Sequence, residues 1–181
     1  MSVQITSSVD IKKSISGNYP ANFQRYADQV QEDDLWTAFR NQMPAAEIFF
    51  RSISEELSKR KYAEDKWTIK EVLQHIIDAE RIFAYRALAF ARKDTNTLPP
   101  FDENDYTNNG NANDRLWNNL IDEFVSVRKS TEYLYKSFSA EAVNAIGKAS
   151  DYTMGVSTLG FVIVGHVNHH IRIIQERYIG V

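Results

Sequence analysis

The chain has 181 residues, 43% of them apolar and 25% charged, with a formal net charge of −3 and no cysteine. That is enough chain for one domain with a real hydrophobic core, while the missing cysteine excludes disulfides, thiolate metal ligands and a cysteine nucleophile. Without a Lys/Arg-rich block, the charge footprint of a nucleic-acid binder is missing too.

Residues 1–19 carry no sustained periodicity and are expected to form an irregular start to a single domain spanning 1–181. Met1 to Ile15 lacks the apolar centre of a signal peptide. The longest apolar runs, such as Ala87–Ala91 and Phe161–Val164, are too short to span a bilayer. A cytoplasmic protein without membrane contact is the expectation. Gly17-Asn18-Tyr19-Pro20 signals a turn, and a short helix is predicted over Ala21–Val30.

The first long helix is predicted to begin at Asp33-Asp34, whose carboxylates suit a helix N-terminus. Leu35, Phe39, Met43, Ala46, Phe50, Ile53 and Leu57 follow at spacings of three and four. Pro44 lies inside the pattern and predicts a kink or break. The second helix has a clearer start: Thr68-Ile69-Lys70-Glu71 is a capping box, and the stripe Val72, Ile76, Ala79, Phe83, Ala87, Phe90 carries it to about Ala91. His75 lies beside that stripe and is expected to face inward.

Residues 93–112 hold Pro99-Pro100, many Asp and Asn residues, and Asn109-Gly110. A connection of that length without periodicity points to function or to a crossover. Asp105-x-Thr107-x-Asn109-Gly110 superficially resembles a calcium loop, but Leu116 occupies the position that needs a bidentate Glu, which rules it out. A third helix is predicted from Asn113 to Phe138, a helical turn over Glu141–Ile146, and a last helix over Ser157–Tyr178. Four long amphipathic segments without convincing strands predict an all-α, four-helix bundle. The long link between helices two and three argues against a simple up-down-up-down order.

Three of the four histidines sit in Gly165-His166-Val167-Asn168-His169-His170-Ile171. Helical residues four apart share a face, so His166 and His170 can converge on one ion. His169, three residues from His166, is not excluded by spacing. The stripe Leu159, Ile163, Val167, Ile173, Ile174 favours His170 and places His169 at the edge of the site or at an interface. With His75 as partner, three imidazoles and an open position would make a catalytic rather than a closed structural metal site. Gly165 is expected to keep bulk away from an approaching ligand. Asp78, three residues from His75, is a candidate for orienting an imidazole, and Glu80, Arg81 and Arg86 are candidates for supporting the site or binding substrate. Each has the plainer reading of a solvated or paired helix charge. Trp36, Trp67 and Trp117 are expected to pack in the core. The zincin, di-iron, Walker and nucleophile-elbow motifs are missing from the sequence.

Lys66-Trp67-Thr68-Ile69-Lys70-Glu71-Val72-Leu73-Gln74-His75, continuing through Asp78 to Arg81, resembles the first metal-binding helix of the DinB-like proteins, which include the YfiT-type metal-dependent hydrolases. Gly165-His166 through His169-His170 resembles their second, and Leu98 to Tyr106 resembles their connecting stretch. The likeness runs from about residue 20 onward. It implies a four-helix bundle with a long crossover, frequently dimeric, and a divalent metal such as zinc or nickel on His75, His166 and His170. Members include transferases and isomerases that use low-molecular-weight thiols, and many are described as hydrolases. The first expectation is therefore a metal-dependent thiol S-transferase acting on a small molecule. The alternatives are a metal-dependent hydrolase and a non-catalytic bundle that binds a small ligand or a partner.

Overall fold

Asp34 opens the first long helix: in this computed structural model, which describes residues 9–13 and 17–180 (Asn22 through its backbone alone), its carboxylate accepts from the Thr37 N–H at 2.9 Å. Before it, α1 (Ala21–Ala27) is the predicted short helix. Then come α2 (Leu35–Ser52), α3 (Ile69–Ala91), α4 (Glu103–Asn109), α5 (Trp117–Lys136), α6 (Ala140–Val143) and α7 (Val156–Ile173). The last of these continues into a π-helical stretch, Ile174–Ile179. Of the expected irregular start, residues 1–8 and 14–16 lie outside the described residues. Ile11 is buried, and the Leu35 N–H donates to its carbonyl.

The capping box forms as expected. Glu71 N–H donates to the Thr68 hydroxyl at 3.1 Å, and Thr68 N–H donates to Glu71 Oε2 at 2.7 Å. Pro44 does not break α2. The carbonyl it leaves without a helical donor belongs to Arg40; both residues lie on the exposed face, where water can serve that group. The helix ends at Ser52, short of the predicted Leu57, which belongs to a separate 3-10 turn.

The bundle is built from α2, α3, α5 and α7. The main contacts are of α3 with α5 and α7, and of α2 with α5 and α7. The consecutive helices α2 and α3 therefore stand diagonally across the bundle, and the long crossover through α4 carries the chain from α3 to α5. This is the four-helix arrangement with a long connection expected from the sequence. One element was missed: β1 (Ile146–Ala149) and β2 (Tyr152–Gly155) pair as an antiparallel hairpin. The crossover is pinned to it, because Leu98 N–H donates to Lys148 O at 3.0 Å and Ser150 N–H donates to Leu98 O at 2.8 Å. No helix among the described residues is long and apolar enough to cross a membrane.

The core divides into two apolar clusters. One gathers Phe23, Leu35, Phe39, Phe83, Phe90 and Phe161; the other gathers Phe50, Ile69, Ile76, Trp117, Phe124 and Ile174. Along each long helix a buried polar residue falls between them: Gln42 on α2, Glu80 on α3, Arg128 on α5 and His166 on α7.

Candidate metal centre

Within that polar layer, α3 and α7 pack against each other and bring His75 and His166 together. His75 and His166 are 5% and 4% exposed, and His170 is half-buried. The Nε2 atoms of His75 and His166 lie 3.0 Å apart, as do those of His170 and His166. One potential ligand nitrogen from each of the three falls within 4.8 Å of the others. His169 turns away. Its Nδ1 lies 3.4 Å from the Gln29 amide nitrogen, and its ring lies 5.3 Å from the Tyr26 ring on α1.

Burial holds the three imidazoles neutral. It pushes His75 down to about 4 and His166 and His170 well below the ordinary histidine value, and neighbouring histidines add to the effect. Neutral imidazoles are the form in which histidine offers a lone pair to a metal.

A single proton serves the two contacts poorly. A single imidazole nitrogen carries either one lone pair or one N–H, yet His166 Nε2 faces two Nε2 neighbours at the same 3.0 Å. Nitrogens each about 2.0–2.1 Å from one cation lie roughly 3 Å apart, so the spacing fits a shared divalent ion. The donor set fits as well: three nitrogens, no sulfur, and a position left over.

Aromatic side chains surround the cluster. Trp67 lies 5.0 Å from the His75 ring, Tyr26 lies 5.1 Å from His166, and Phe83 lies 6.0 Å from His166. Trp67 was expected only as a packing residue, and its place beside His75 carried no sequence signal beyond proximity. A cleft of about 370 Å³ opens over His75 and His166, walled by Phe23, Phe83, Phe101 and Met154 and rimmed by Asp102 and Ser150. Its size suits a small molecule.

Gly165 serves a different purpose from the one expected. A Cβ there would overlap the carbonyl of Tyr26, so the missing side chain lets α1 lie directly on α7 rather than admitting a ligand. Asp78 is also placed elsewhere. Its carboxylate accepts from Gln74 Nε2 at 3.0 Å and faces Arg81 at 3.7 Å, and it makes no hydrogen bond to an imidazole among the described residues. Burial raises its pKa. Arg81 pairs with Glu123 at 2.7 Å. Glu80 is committed to Arg128 through two hydrogen bonds of 2.9 and 3.0 Å. Arg86 lines the cleft. Trp117 is a core residue, as expected, its indole N–H donating to Phe50 O.

The family model of the DinB superfamily matches residues 38–174. Among solved structures, the chain is similar to YfiT from Bacillus subtilis, described as a probable metal-dependent hydrolase with an unusual four-helix bundle topology. The two share 13% identity and a TM-score of 0.65, and the match covers 91% of each chain, which shows a shared fold. No curated protein matches.

Proposed function

The chain belongs to the DinB superfamily, and from that premise we propose that His75, His166 and His170 hold one divalent cation, zinc, nickel or a similar ion, at the base of a small-molecule cleft. The observation that carries this reading is the convergence of two Nε2 atoms on the Nε2 of His166 at 3.0 Å. When bound there, the ion supplies Lewis acidity that lowers the pKa of a protic nucleophile.

The chain's own residues narrow the kind of nucleophile. The three imidazoles contribute lone pairs, and their neighbours Trp67, Tyr26 and Phe83 restrict water on the helix side. No carboxylate hydrogen-bonds to an imidazole among the described residues, and the cleft's own carboxylates, Asp102 and Glu103, are solvent-exposed. That favours a nucleophile that ionises readily. A thiol starts near 8.5 and water near 15.7, so about seven fewer units of lowering are needed for the thiol. We therefore read the protein as a metal-dependent S-transferase that presents an external low-molecular-weight thiol to an electrophile in the cleft. The alternative, hydrolysis, draws support from the description of YfiT and from Glu103, a carboxylate on the cleft wall.

Elemental analysis tests the site first. The purified protein should carry about one divalent ion per chain, as a three-histidine centre holds, and His75→Ala and His166→Ala should lose it. Unchanged metal content in both variants would sink the proposal. A panel of thiols with a model electrophile then separates the two chemistries, because ester or amide turnover without added thiol would favour the hydrolase.

A further inference from the structure

Two arginines are buried among the described residues, and their surroundings differ sharply. Arg128 is fully buried and has the Glu80 carboxylate as a bidentate partner. Arg86 is 7% exposed and has no carboxylate within ion-pair distance among the described residues. Its one hydrogen bond goes to the Pro99 carbonyl at 3.1 Å, and its guanidinium lies 5.8 Å from the centre of the Phe101 ring. Burial depresses its pKa, and no anion offsets that effect. A buried guanidinium without a counter-ion is costly, and its five N–H donors form a planar fork that matches a carboxylate. No buried side-chain nitrogen or oxygen among the described residues lacks a hydrogen-bond partner. The remaining Arg86 nitrogens are therefore accessible, and the space they reach is the cleft that Arg86 lines together with His75 and His166.

The helix explains this placement. His75, Ala79, Phe83 and Arg86 all line the cleft, at spacings of four, four and three along one face of α3. At 1.5 Å per residue, Arg86 stands about 16 Å along the axis from His75. Helical side chains lean toward the N-terminus, which swings the guanidinium back toward the histidines. Phe23, Phe83 and Met154 supply apolar wall between the two ends. Asp102 makes no ion pair with the guanidinium; its Oδ1 caps α4 by accepting from the N–H groups of Asn104 and Asp105.

We propose that Arg86 is a substrate-binding residue, and that the cleft takes a small carboxylate-bearing molecule with its anionic end on Arg86 and its reactive group at the three imidazoles. A monoanion is favoured over a phosphate, since one guanidinium faces a rim that already carries Asp102 and Glu103. The inference rests on reading the histidines as the reactive end of the cleft.

The test uses 3-phenylpropionate and its uncharged amide, titrated into the full-length protein with zinc bound and with zinc stripped. In the wild type the carboxylate should bind at least about tenfold more tightly than the amide, the effect of a charged hydrogen bond. It should also shift the Arg86 Nε–H resonance, a readout that needs no variant to fold. Arg86→Gln should reduce carboxylate binding to the level of the amide with zinc content unchanged, and Arg86→Lys should retain part of the preference. No preference for carboxylate over amide, or a preference that survives Arg86→Gln, overturns the proposal while leaving the metal reading standing. A protein that binds neither zinc nor nickel yet still needs Arg86 for the carboxylate supports the Arg86 assignment and removes the metal reading instead.

Discussion

The same polar layer holds two constellations built on opposite principles. On one side, Glu80 receives Arg128; Arg128 also donates to Gln42 at 2.6 Å; Gln42 donates to Val164 O and Asn168; and Asn168 donates to Gln29 O. Every charge meets its opposite, and Phe39 and Phe124 lie against the guanidinium. On the other side, three neutral imidazoles point nitrogens at one another beside an open cleft. A closed network sets how the helices sit. An open one, with His75 and His166 almost as deeply buried, leaves room beside it.

The largest effect should come from breaking the closed side. Arg128→Ala leaves Glu80 buried and unpaired, and should cost about 3–5 kcal/mol in chemical denaturation. Replacing Glu80 and Arg128 together by Leu and Met should recover most of that loss, since neither charge is then left buried without its partner. If the double variant is no better than the single one, the network does more than satisfy itself.

Acid should attack the open side. His75 has a folded-state pKa of about 4, below the 6.5 of the free side chain. Between those values the unfolded chain binds more protons, so unfolding free energy rises with pH. In metal-free protein this contribution is complete above about pH 6.5 and is lost as pH falls toward 4, on the order of 3 kcal/mol for His75 alone. His166→Ala and His170→Ala should flatten the profile, as measured by denaturation across that range.

Zinc comes next in size. At a hundredfold excess over its dissociation constant, a ligand that binds only the folded state adds about 2.7 kcal/mol. Thermal melts should show this gain in the wild type and in Asp78→Asn, but not in His166→Ala.

Gly165→Ala tests how α1 supports the open side. The added methyl meets the Tyr26 carbonyl, and overpacking of this kind costs about 1–3 kcal/mol. Limited proteolysis should cut within residues 21–30 faster than in the wild type. Asp34→Ala should be the mildest, about 1 kcal/mol for a lost helix cap, with zinc binding untouched.

Much of this was legible in the chain because the signals were local. The Thr68–Glu71 box, the Asp34 cap and the three-four stripes mark helices through contacts within a turn or two, and the i, i+4 spacing of His166 and His170 works the same way. The closed network was not legible, since Glu80 and Arg128 are 48 positions apart and each reads alone as a surface charge. The start of the third long helix was misplaced for the same reason. Its first N–H is capped by Glu55, 62 residues away, and the helix begins at Trp117 rather than Asn113. The hairpin escaped because two four-residue strands are too short for a period to show. Gly165 was recognised as meaningful but given the wrong neighbour, because sequence does not say that α1 folds back onto α7.

The two hydrogen bonds that pin Leu98 to the hairpin have a consequence for how such a protein diversifies. Pro100, Phe101 and Asp102 on one side, and Ser150 and Tyr152 on the other, form the outer wall of the cleft, yet none belongs to the helices that carry the histidines. Their backbones are tethered to each other through Leu98, Lys148 and Ser150, and β2 runs on directly into α7. Mutation can therefore rewrite what the mouth admits while the inner nitrogens keep their spacing. Side chains at positions 100–102 and 152 can change the shape and charge of that mouth without touching the three histidines, whereas Ser150 is constrained by its left-handed φ of 52°.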